Sequence, residues 1–162
     1  TVGQETELVG SYLQIQKMRF SKRLNYEIKM DDSIMSAKIP KLILQPFVEN
    51  AVVHGFENIS TPCWLTVKGT KEGDFLRFEI KDTGIGMRRE QMEAIWENDD
   101  SQYSRQRIGR YAIKNIKERL ELKYGDRFNL KISSEVGKGT TVTLIVPFEG
   151  GGQSSDEVID RR

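Results

Sequence analysis

Three short stretches of this chain place reactive side chains or paired glycines at spacings suited to work on a charged, planar ligand. In the first, Asn50 and His54 stand four residues apart and so become neighbours if the segment is helical, with Glu49 beside them. Together they offer an amide oxygen able to face a metal ion, an imidazole able to face a phosphate, and a carboxylate able to act as base. Taken alone, the same residues also fit the solvated outer face of an ordinary helix. The second stretch is Asp82-Thr83-Gly84-Ile85-Gly86, at the end of an alternating apolar run. Its two glycines allow close backbone approach, and the aspartate before them can accept a hydrogen bond from an amino group. The third is Gly137-Lys138-Gly139-Thr140-Thr141, which by itself reads as a hairpin turn.

Two phosphate-binding motifs are excluded on spacing, and one acid chemistry is disfavoured by fold class. A dinucleotide-binding turn needs a further glycine where Arg89 stands. A Walker loop needs Ser or Thr directly after its lysine, but Lys138 is followed by Gly139. Asp82-Thr83-Gly84 matches the core triplet of an aspartic protease, yet such enzymes are nearly all β, and this chain carries several helical patterns.

The elements that must position these residues follow from periodicity. Leu8, Val9, Tyr12, Leu13 and Phe20 recur at helical spacing within residues 4–22. Leu24, Tyr26, Ile28 and Met30 alternate with polar residues as in a half-buried strand. A helix is expected over 40–54, opening at Pro40 and stopped by Gly55, with Pro46 either kinking it or delaying its start. In that helix Leu44, Phe47, Val48, Ala51 and Val52 form the apolar arc, and Gln45, Glu49, Asn50 and His54 the opposite one. Strands are expected at 64–68 and 75–81 around a turn at 71–74, and a helix at 88–96. Residues 97–110 are almost wholly polar and read as a mobile loop. A helix over 111–124, striped by Ile113, Ile116, Leu120 and Tyr124, leads to strands at 129–134 and 140–146. Strand pairs segregated from helices predict an α+β sandwich, with helices on one face of a mixed sheet.

Composition bounds the rest. The 162 residues fit one domain, and 25 basic against 24 acidic residues leave a net charge of +1, so no global field draws the chain to nucleic acid or to an anionic membrane. A single cysteine, Cys63, rules out an internal disulfide framework and suits a reducing compartment, where it reads as a small buried hydrophobe. The single histidine, His54, excludes multi-histidine metal sites. No apolar run approaches membrane-spanning length. After Pro147 the composition turns to Gly, Ser and acidic residues, so 149–162 reads as a flexible tail.

The order of the motifs is more specific than any one of them. Glu49-Asn50-(x)3-His54-Gly55, then Asp82-x-Gly84-x-Gly86, a polar loop, a helix, and Gly137-x-Gly139-Thr140 resemble the N, G1, lid and G3 boxes of the GHKL (Bergerat) ATPases and kinases. Within that superfamily, residues 44–55 (LQPFVENAVVHG) and residues 12–20 (YLQIQKMRF) resemble the LytS/YesM-type sensor histidine kinases, and the resemblance covers residues 5–148.

The resemblance implies a Bergerat ATP-binding catalytic domain at 23–148, preceded at 1–22 by a linker helix from a dimerisation and phosphoacceptor region. It implies that Asn50 holds Mg²⁺, Glu49 assists proton removal from the acceptor histidine, and His54 lies near the phosphates of ATP. Asp82 would receive the adenine amino group, Gly84, Gly86 and Met87 would line the pocket, and Gly137, Gly139 and Thr140 would support the adenine end. Ala112 falls where the family's lid motif touches nucleotide, whereas Arg110 stands where a glycine is usual. A homodimer, a response regulator and a membrane-anchored full-length protein with this domain on the cytoplasmic side are implied in the same way. Two other readings share the pocket: a GHKL ATPase module and a nucleotide sensor without transferase activity.

Overall fold

The computed structural model describes residues 1–56, 60–96 and 106–150, with residues 106–110 described by their backbone alone. Helix α1 (Val2–Phe20) leads into strand β1 (Leu24–Met30). Helix α2 (Gln45–Asn50) continues without a break into π-helical turns at Ala51–Gly55. Strands β2 (Cys63–Glu72) and β3 (Phe75–Asp82) form a hairpin, followed by the short helix α3 (Arg89–Glu93). Helix α4 (Gln106–Tyr124) and the hairpin β4 (Asn129–Glu135) and β5 (Gly139–Pro147) complete the order.

The five strands form one sheet in the order β1-β2-β3-β5-β4, parallel at β1/β2 and antiparallel elsewhere. The expected mixed sheet is therefore present. Alternation sets its two faces: Leu65 and Val67, Leu76, Phe78 and Ile80, and Val142, Leu144 and Val146 are buried, while Arg77, Glu79 and Lys68 point the other way. Among the described residues the helices pack on the apolar face. Val9 and Leu13 of α1, Phe47 and Val48 of α2, and Ile116 and Leu120 of α4 share one core with those strand residues. The result is a two-layer sandwich, and the stripe Ile113, Ile116, Leu120 and Tyr124 is buried as the periodicity requires.

Four boundaries differ from expectation. The helix expected from Pro40 begins only at Gln45, with Pro46 in its first turn, so the proline delays the start and does not kink an existing helix. The segment expected as a loop through residue 110 is already helical from Gln106; residues 97–105 lie outside the described residues. Gln and Arg are good helix formers, so a polar stretch can be helical without the apolar stripe that periodicity detects. The helix expected to reach Trp96 ends at Glu93. Glu149, expected in the tail, forms an antiparallel bridge with Lys38 and an ion pair with Lys123 at 2.8 Å, and residues 151–162 lie outside the described residues.

Candidate functional site

The second and third motifs meet at one end of the sheet, where they are tied together mostly through backbone groups. Asp82 is the last residue of β3 and points to the helix-covered face, so the alternation that buries Leu76, Phe78 and Ile80 buries its carboxylate as well, at 5% exposure. Its Oδ1 accepts the backbone N–H of Gly84 at 2.7 Å and of Thr140 at 3.3 Å. Among the described residues both donors go to Oδ1 and none to Oδ2. Burial pushes the Asp82 carboxyl from its ordinary 3.8 up to about 6, against the opposing pull of those two backbone donors.

The glycines are needed for the approach of one segment to another. A Cβ on Gly84 would stand 2.6 Å from the carbonyl oxygen of Gly55, and one on Gly86 would stand 2.0 Å from that of Glu135. At Gly139, where φ is +94°, a Cβ would meet the carbonyl oxygen of Asp82 at 2.0 Å. Hydrogen bonds close the same contacts: Ile85 N–H donates to Gly55 O at 3.1 Å and Gly137 N–H to Ile85 O at 2.7 Å. The α2 end, the β3 exit and the β4–β5 hairpin thus form one knot around Asp82.

Ser134, which the motifs do not single out, completes it. Paired across the hairpin with Thr140, it accepts from Met87 N–H at 2.9 Å, donates to Gly139 O at 2.9 Å and lies 2.9 Å from Thr140 Oγ1. A lone serine in a short strand carries no spacing signal. Its role appears only when the register sets it opposite Thr140.

Gly55 joins this knot to the first motif. A Cβ there would lie 3.3 Å from Asp82 Oδ1, so the helix end bearing His54 is held against the aspartate. Glu49, Asn50 and His54 are all half-buried on α2 and its π-helical continuation, opposite the buried Phe47, Val48, Ala51 and Val52, as the helical arcs predict. Gln45 Nε2 donates to Glu49 Oε1 at 2.7 Å, which fixes the orientation of that carboxylate. Ala112 lies on α4, which packs against α2.

Among the described residues no cluster of three or more His, Cys, Asp or Glu side chains could hold a metal ion. Asn50 offers a single amide oxygen on the half-buried helix face that also carries Glu49 and His54. No helix among the described residues is long and apolar enough to cross a membrane.

Comparison with known proteins agrees with this fold. Residues 36–150 match the family model described as histidine kinase-, DNA gyrase B-, and HSP90-like ATPase. The chain is 32% identical over 148 residues to the sensor histidine kinase YesM of Bacillus subtilis, covering 91% of this chain and 24% of YesM. It is 34% identical over 150 residues to the sensor protein LytS of Bacillus anthracis, covering 91% of this chain and 25% of LytS. The chain thus spans about a quarter of the length of these relatives. The mycobacterial sensor histidine kinase MprB shares the fold with a TM-score of 0.62 at 16% identity, over 90% of this chain and 95% of that one. With the sandwich, the buried aspartate and the glycine knot in place, the chain belongs to the histidine kinase-, DNA gyrase B- and HSP90-like ATPase family.

Proposed function

We propose that this chain is the ATP-binding catalytic domain of a two-component sensor histidine kinase. The observation that carries the reading is Asp82: a carboxylate buried where, among the described residues, one of its oxygens takes both backbone donors, at the convergence of three glycine-bearing segments. A buried, incompletely paired carboxylate destabilises the fold, and such groups persist where a ligand needs them. The free acceptor suits the amino group of adenine. Met87, Gly84, Gly86, Gly137, Gly139 and Thr140 surround that end of the pocket, and Asn50 and His54 stand toward the phosphates. Asn50 would hold Mg²⁺, whose contribution is to neutralise phosphate charge.

Transfer then requires positioning more than covalent chemistry. The bond from the γ-phosphorus to the bridging oxygen of ADP breaks, a phosphorus–nitrogen bond forms to an acceptor imidazole, and the imidazole proton passes to Glu49. The acceptor belongs to an upstream dimerisation domain. His54, the one histidine of this chain, belongs to the donor side. In the whole protein, a homodimer anchored in the membrane would pass the phosphoryl group on to a response regulator.

Radiolabelled ATP tests this directly. The isolated chain is expected to stay unlabelled and to label a supplied phosphoacceptor domain in a Mg²⁺-dependent way. Label on His54, or nucleotide binding with no transfer to the supplied domain, contradicts the reading.

A further inference from the structure

A second buried carboxylate lies in α1, far in sequence from every motif above. Glu5 is 3% exposed on the stripe that also buries Val2, Val9 and Leu13. Among the described residues it forms no ion pair. Its Oε2 accepts the backbone N–H of Leu42 at 2.8 Å, and its Oε1 accepts those of Leu44 at 3.0 Å and Gln45 at 3.3 Å. These are the backbone donors at the entry to α2, which Leu44 enters without a side-chain cap of its own. A carboxylate from another helix supplies what the local sequence does not.

The segment it grips is strained. Leu42 has φ +56°, a left-handed conformation that a leucine adopts only when its surroundings enforce it. Arg119 of α4 holds the same turn from the other side by donating to the carbonyl oxygen of Lys41. The start of α1 is itself fixed to the body of the fold, with Val2 N–H donating to Ala37 O and Gly3 N–H to Met35 O, both at 2.9 Å. Further along α1, burial and the Glu49 carboxylate push the Tyr12 phenol up to about 12, so this helix also faces the candidate base.

We infer that Glu5 is a positioning residue for the nucleotide site: through the residue 42–45 turn, α1 sets the position and rigidity of the helix that presents Glu49, Asn50 and His54. The inference rests on the nucleotide reading of that helix face. A glutamine at position 5 keeps the shape but turns an NH₂ toward one of the three N–H donors, so it breaks one arm of the contact. Any movement of α1 against the sandwich is thereby felt at Asn50 before it is felt at Asp82.

The test is Glu5→Gln in the full chain, read by residue-resolved amide exchange and by affinity for a fluorescent ATP analogue with and without Mg²⁺. Exchange is expected to rise roughly tenfold or more at Glu49, Asn50 and His54 as well as at the directly bonded amides, while β3 and β5 keep their protection. The Mg²⁺-dependent gain in affinity falls several-fold, and Mg²⁺-free binding at Asp82 is unchanged. Adding Leu42→Gly, which removes the strain that Glu5 opposes, restores part of the protection. Exchange that rises equally in β3 and β5 makes Glu5 a general stability residue and overturns the inference, as does an unchanged helix. If the parent binds no nucleotide, the functional reading fails, and the exchange pattern alone decides whether Glu5 positions the helix.

Discussion

Replacing Asp82 by asparagine is expected to make the unliganded protein more stable at neutral and alkaline pH. The folded protein holds the Asp82 proton up to about pH 6, whereas the unfolded chain releases it near the ordinary 3.8. Between those values the folded state binds more protons, so stability falls as pH rises through the window and is level above it. The rise from 3.8 to about 6 corresponds to about 3 kcal/mol, of which about 2 kcal/mol is lost between about pH 4.5 and pH 8. Asparagine keeps an oxygen for the Gly84 and Thr140 donors but carries no charge, so the pH slope contributed by this position disappears. Urea unfolding of both proteins at the two pH values measures the difference. The stability gain of Asp82→Asn should be about 2 kcal/mol larger at pH 8 than at pH 4.5. An advantage that does not change with pH, or a variant less stable than the parent at pH 8, would refute the claim that a charge is buried there at a cost.

The glycines separate sharply by what surrounds them. Gly139→Ala combines a left-handed backbone with a Cβ 2.0 Å from the Asp82 carbonyl and should cost more than about 3 kcal/mol, whereas Gly137→Ala, at φ +78° but in open space, should cost about 1–2 kcal/mol by the same unfolding assay. Ser134→Ala leaves the Met87 N–H without its acceptor and should cost about 1–3 kcal/mol. Its amide signals at Met87 and Thr140 should move in NMR spectra, and unchanged spectra would count against the knot.

Much of this site can be read from residue order, because each motif uses local features: Asp82 closes an alternating strand, and Asn50 and His54 share a helical arc. The sheet faces and the α4 stripe are legible for the same reason. The purpose of the glycines is less so, since Gly84 meets Gly55 and Gly139 meets Asp82 only after distant segments fold together. The π-helical turns at Ala51–Gly55 have no propensity signature of their own. Ser134 depends on hairpin register, which residue types alone fix poorly. Glu5 did leave a trace: it falls on the stripe of Val2, Val9 and Leu13, where a carboxylate must find donors. Which donors it finds is a tertiary fact.

The central claim is that Asp82 and Asn50 serve the two ends of one Mg-ATP molecule, and the affinity of a fluorescent ATP analogue with and without Mg²⁺ tests it most directly. The parent should bind, with Mg²⁺ strengthening binding. Asp82→Asn should weaken binding roughly tenfold or more under both conditions, by losing the acceptor charge at the adenine end. Asn50→Ala should abolish only the increment due to Mg²⁺. If both variants bind as the parent does, the nucleotide does not lie between these residues and the site is misplaced.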